Sequence, residues 1–212
     1  MKQDIEITFP APGRNARTVT GVLLALLVGS AVIGFNSANA AQAASMPEWK
    51  PQWTADGQLK LPQDFHTWVF LGSPLTPHGL NDGKAGFPEY HNVYIHPVAY
   101  QAYRRTGKFP EGTILLKELQ LTQPGTFADG SRVESSGRGY FPGKVNGIDI
   151  SVKDSKRFSD TNGWGFFNFG HHAPPYPKTA AVQPKDACAA CHEANATDMV
   201  FSKFYAPILD AK

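Results

Sequence analysis

Hydrophobic and polar positions alternate along much of the chain with the period of two that marks strands. Stretches 66–71, 89–95, 113–121, 147–153 and 164–169 carry this pattern and are predicted strands. In GTILLKELQL, residues 112–121, Leu115, Lys117, Leu119 and Leu121 share one face. Ile114, Leu116, Glu118 and Gln120 form the other, which fades from apolar to polar. Lys117 thus lies on the face that reads as more buried, where a lysine is ordinarily a snorkelling side chain near a sheet edge. In EYHNVYIHP, His91 shares a face with Val93 and Ile95 and is expected to point inward. In NGIDISVKD, Ile148, Ile150 and Val152 make the apolar face and leave Asp149 with Ser151 and Lys153, so a solvated carboxylate competes with any site role. The period turns helical after Pro97, a favoured first position, and a stop is expected at Gly107. Val200, Phe201, Phe204, Tyr205, Ile208 and Leu209 recur at helical spacing and predict an apolar-faced C-terminal helix. Residues 122–146, rich in Gly and Ser, read as a long loop that wraps the sheet or a cofactor. The sum is a mainly β or α+β domain.

The first forty residues change that picture. GVLLALLVGSAVIGF, residues 21–35, follows Lys2, Arg14 and Arg17 and precedes the small-residue stretch SANAAQAAS. That layout is a secretory signal peptide over 1–40, cut after Ala40 or Ala44. An uncleaved anchor is the alternative, since no charge falls between Arg17 and Glu48. The apolar core is shorter than the roughly eighteen residues of a spanning helix, which favours cleavage and a periplasmic protein. A membrane is a partner only if the segment stays on. An N-terminal segment over 41–60 then leads into one domain over 61–212. The formal net charge of +2, with no basic block, argues against a nucleic-acid partner.

Candidate chemistry centres on DACAACHEANATDMVF, which holds the chain's two cysteines, Cys188 and Cys191, with His192 directly after. One disulfide is the simplest use of two cysteines in an exported protein. C-x-x-C-H is, however, the attachment signature of c-type haem. Two thiols about one helical turn apart can add to the haem vinyl groups, and the following imidazole can reach the iron. Export, the lack of competing cysteines and the apolar segment that follows put covalent haem c ahead of the disulfide. His192 is then the iron ligand. A methionine partner as in electron-transfer cytochromes is excluded by position, because twenty residues follow His192, Met199 is expected in the core of the next helix, and Met46 lies near the cleavage site. His66, His78, His91, His96, His171 and His172 remain as second ligands, though His171 and His172 head a Pro-rich loop. An open distal position, able to bind a small molecule, is the economical expectation.

Three stretches resemble the cytochrome P-460 family of mono-haem c-type proteins: LNDGKAGFPEYHNVYIHPVAYQAYRRTGKFPEGTILLKEL, GYFPGKVNGIDISVKDSKRF and CAACHEANATDMVFSKFYAPIL. The resemblance runs from about Leu61 to Leu209 and implies a mainly antiparallel β-sheet domain with a few helices, in a homodimer. It implies an oxidoreductase that oxidises hydroxylamine, or a related nitrogen-oxide species, and passes electrons to a cytochrome acceptor. The family's K-E-L triplet matches Lys117, which implies an additional lysine–haem cross-link. Burial disfavours the ammonium form, and an amine that gives up its proton beside haem is a nucleophile. A related branch, cytochrome c′-β, lacks the lysine and binds nitric oxide or other gases without turnover, and is the alternative reading. A plain bis-histidine electron carrier is the third. Asp149 matches an acidic position near the family's haem pocket. His91 stands where a better-known member has arginine, and Gln183 where some competent members carry an acid. Those two departures bear on catalysis rather than on haem binding.

Overall fold

The structure, a computed structural model, describes residues 49–211. The expected signal segment, its cleavage sites and Met46 lie outside the described residues. In chain order the strands are β1 (Leu59–Lys60), β2 (Val69–Gly72), β3 (Tyr90–Ile95), β4 (Ile114–Thr122), β5 (Arg132–Glu134), β6 (Gly137–Gly139), β7 (Pro142–Lys153), β8 (Trp164–Asn168) and β9 (Thr179–Ala180). Three helices accompany them: α1 (Pro97–Thr106), α2 (Ala189–Asn195) and α3 (Ala206–Leu209). The main sheet has the order β2-β3-β4-β7-β8, and each neighbouring pair is antiparallel. The expected fold class, antiparallel β with a few helices, is the observed one.

β4 is the central strand, and both of its faces are covered. That explains its nearly continuous apolar run, since a strand covered on both faces needs no polar side. On one face, Leu115 joins Val93, Ile95, Leu71, Phe166 and Trp164 beneath α1, α2 and the C-terminal segment. On the other, Ile114 and Leu116 pack with Ile148, Ile150, Val152 and Phe167. Trp53, Leu59 and Ala180 close that second layer, where β1 pairs with β9. Glu118 is buried on this second side and is satisfied by His66 Nε2 at 3.1 Å.

α1 starts and stops where its sequence directs. His96 is the N-cap, its Nδ1 accepting from the Val98 N–H, and Pro97 occupies the first turn. Gly107 ends the helix at φ 68, its N–H bonded to the Tyr103 carbonyl. Two expectations are corrected. Residues 122–146 are not one loop, because β5 and β6 form a hairpin there and β7 begins at Pro142. Its first half was hidden by irregular pairing with β4 around Gln120, which breaks the alternation. The C-terminal helix is likewise broken. Asp198 and Met199 take positive φ values of 46 and 60, a 3₁₀ turn spans 202–204, and Pro207 falls in the first turn of the short α3. Proline cannot donate within a helix and is tolerated at its start. Met199 is core, as expected, but sits in a turn rather than on a helix.

Candidate functional site

Antiparallel register decides which side chains meet. Lys117 on β4 lies opposite Val93 on β3 and Asp149 on β7, and Asp149 in turn lies opposite Asn168 on β8. Residues opposite one another share a face, so Lys117, Asp149 and Asn168 form a polar row across an otherwise apolar layer. Phe166, two residues from Asn168, is on the same face. Its ring centroid is 4.5 Å from that of His192, and the Phe201 ring centroid is 4.8 Å from the same imidazole. The sheet thus carries the C-x-x-C-H helix and the lysine row on one side.

His192 is oriented from behind. Its Nδ1 is 2.7 Å from the Met199 carbonyl oxygen, and an oxygen there can only accept, so the proton is on Nδ1 and Nε2 keeps its lone pair. The left-handed turn at Asp198 and Met199 aims this carbonyl. A backbone acceptor behind a ligating imidazole is the usual way its tautomer is set. Burial holds the His192 pKa below the ordinary histidine value, the Met199 carbonyl opposing and Lys117 adding to the effect. Cys188 and Cys191 are both free thiols, the first half-buried at the start of α2 and the second exposed. Burial raises the Cys188 pKa, and the Asp149 carboxylate adds to that. Two uncommitted thiols and an imidazole with a bare Nε2 are the donor set that a covalently held haem requires.

Lys117 is not sealed in apolar surroundings. Its Nζ is 2.9 Å from Asp149 Oδ2, and the two side chains are 29% and 23% exposed. A partly exposed pair contributes about 1 kcal/mol or less to stability, so its main effect is to fix where the amine sits. Phe87 lies against Nζ at 4.8 Å from its ring centre. The same ring meets His91 edge-on at 5.9 Å and His171 at 6.1 Å. His91 points inward, as its strand pattern predicts, and its Nε2 is buried without a partner. Burial, assisted by the Lys117 ammonium, pushes the His91 pKa down to about 4.

Asp149 is not a solvated surface group, because it accepts from Lys117, from Asn168 Nδ2 at 2.9 Å, and faces His171 Nε2 at 3.1 Å. Gln183 lies against β8. Its N–H bonds to the Phe166 carbonyl, and it lines a cavity of about 440 Å³ with Phe158, Trp164, Phe166, Lys185 and Ala189, the last beside Cys188. Lys117, Asp149 and His192 are not among that cavity's lining residues. Sequence reading missed Asn168, Phe87 and the role of His171, which read as loop. It also missed Glu89, a buried carboxylate just before β3, whose Oε1 accepts from Asn146 and whose Oε2 has no partner. None of these residues has a local signature, since they meet through strand pairing.

An antiparallel sheet bearing a C-x-x-C-H helix, with a histidine oriented through its Nδ1 and a lysine–aspartate pair on the same side, is an arrangement that fits a haem protein of a β-sheet class. The family model for cytochrome P460 matches residues 62–202. The chain belongs to the cytochrome P460 family. Comparison with curated proteins gives no match. Family membership implies haem, and the residues present fit it: the free thiols, the bare Nε2 of His192 and the unpartnered Nε2 of His91.

Proposed function

We propose that this chain is an exported mono-haem c-type cytochrome that oxidises hydroxylamine, or a related nitrogen-oxide species, and delivers the electrons to a soluble cytochrome. Cys188 and Cys191 hold the haem, His192 ligates its iron, and Lys117 is a further covalent tether to the macrocycle. Bound there, haem would supply the redox centre that takes up the substrate's electrons. The family resemblance and the N-terminal signal support a periplasmic homodimer.

The protein's own residues account for the protons. Each hydroxylamine taken to the level of nitrous oxide gives up two electrons and two protons, so a base near the substrate speeds the reaction. Asp149 is that base, a carboxylate whose position is fixed by Asn168 and Lys117. His91 stays neutral near pH 7, and its unpartnered Nε2 can hydrogen-bond a small polar substrate without adding charge. Phe87 lies against the Lys117 amine and helps to hold it in place. His192 keeps its tautomer through the Met199 carbonyl.

The observation that carries the reading is Lys117 held beside Asp149 on the face shared with the C-x-x-C-H helix. Proteolysis and mass spectrometry of the loaded protein test it. The haem mass should join the 188–191 peptide to the peptide containing Lys117. A Lys117 peptide free of haem refutes the tether. Steady-state assay with hydroxylamine and an electron acceptor tests turnover. A fully loaded protein that binds nitric oxide but oxidises nothing would instead be a gas-binding cytochrome of the c′-β kind.

A further inference from the structure

Residues 168–172 form a turn built to press one imidazole against Asp149. His171 Nε2 lies 3.1 and 3.2 Å from the two Asp149 oxygens and 2.8 Å from Asn168 Nδ2. The Asn168 amide has one orientation, because its Oδ1 accepts from the Gly170 N–H at 2.8 Å. Its two Nδ2 hydrogens therefore go to Asp149 Oδ1 and to His171 Nε2. That arrangement needs a lone pair on Nε2 and places the ring proton on Nδ1. A basic nitrogen thus sits within hydrogen-bond distance of a carboxylate with no proton between them. The close approach depends on glycine. A Cβ on Gly147 would come within 2.7 Å of the Gly170 carbonyl and 3.2 Å of His171 Cα and Cδ2, and Gly170 itself has φ +114.

We propose that His171 is the outer station of a proton path from the haem face: Asp149 takes the substrate proton at its inner end and passes it to His171 Nε2. The proposal rests on the hydroxylamine-oxidising reading above. In the transfer the Asp149 O–H bond breaks as the Nε2–H bond forms. Nδ1 then releases its proton to water, Asn168 again donates to Nε2, and no electron moves. The His171 side chain is 41% exposed, against 23% for Asp149, so the gradient from inside to solvent runs in the required direction. The charged or titratable groups facing it are Asp149 from β7, with Lys117 from β4 behind that carboxylate, and His91 from β3 across the Phe87 ring. His172 is engaged with the Ala173 carbonyl at 2.7 Å instead. His171 acts through Asp149 and is a positioning and relay residue.

The test compares haem-loaded wild type, His171→Gln and His172→Gln. In dilute buffer, kcat for hydroxylamine should fall about tenfold or more in His171→Gln. It should climb back as phosphate is added at constant ionic strength, since a diffusing base replaces the lost imidazole. Wild type and His172→Gln should not respond to phosphate. A His171→Gln protein with wild-type kcat, or one impaired but indifferent to buffer, overturns the proposal. A second measurement needs no turnover. The ferric haem spectrum, compared at one pH, should differ in His171→Gln from wild type and His172→Gln, since Asp149 loses its neighbour on the haem face. The same spectrum in all three proteins overturns the relay. If wild type oxidises no hydroxylamine, the enzyme reading fails and the spectral comparison decides the relay by itself.

Discussion

Acidification should unfold this protein partly through His91. Its native pKa is lowered to about 4, from 6.5, first by burial and second by the Lys117 ammonium. Above about pH 6.5 the imidazole is neutral in both the native and unfolded chain, and this contribution is fully present. Between 6.5 and about 4 the unfolded chain takes up a proton that the native chain refuses, so stability falls with pH across that window. At about 1.36 kcal/mol for each pH unit, the effect is bounded at about 3 kcal/mol. The ring is not fully shut off from water, and solvent screening reduces the expected loss to about 1–2 kcal/mol. Denaturant unfolding of the haem-free protein, in which Lys117 is untethered, followed at about pH 7, 5.5 and 4.5, measures it. His91→Leu, which cannot titrate, gives the baseline. Relative to the variant, the wild-type stability should fall as the pH drops, by the stated amount. A difference between the two proteins that stays flat across the window refutes the reasoning.

Gly147→Ala should destabilise the protein by about 1–3 kcal/mol through overpacking, because its Cβ would strike the Gly170 carbonyl. Thermal unfolding reads that loss, and the buffer response described for His171→Gln should appear in this variant too. His66→Ala should cost about 1–3 kcal/mol at neutral pH, since it strips the hydrogen-bond partner from the buried Glu118 carboxylate. Glu118→Gln should recover part of that loss in the His66→Ala background, and chemical denaturation of the single and double variants checks it.

The alternating strands were legible because burial on both sides of the sheet writes itself into side-chain choice. Predicted strands 89–95 and 164–169 differ from β3 and β8 by one residue at one end, and 113–121 from β4 by one residue at each end. The short pairs β1–β9 and β5–β6 were not legible, being two or three residues long with no face of their own. At the C-terminus, apolar spacing suggested a helix, yet Val200, Tyr205 and Ile208 are buried from a broken chain. Helical spacing records which residues face the core, and a turn can satisfy it when a proline forbids the helix. For the site, C-x-x-C-H is local and was visible at once. The strand pattern left Asp149 between a surface and a site role because Ile148, Ile150 and Val152 claimed the apolar side, whereas this sheet has a core on each face. His171 had no signature at all, since only the β7–β8 register and the turn after β8 bring it to Asp149.

Lys117 and Glu118 are adjacent on β4, opposite in sign and opposite in direction. One meets Asp149, and the other meets His66. A slip of β4 by one residue would reverse every side chain along the strand. It would set the Glu118 carboxylate against Asp149 and drive the Lys117 ammonium in among Ile148 and Ile150. Apolar neighbours could tolerate such a slip, because leucine and isoleucine line both sides of the strand. The two charges cannot. They act as a key for the central strand, admitting the one alignment in which the amine emerges on the side where the thiols wait.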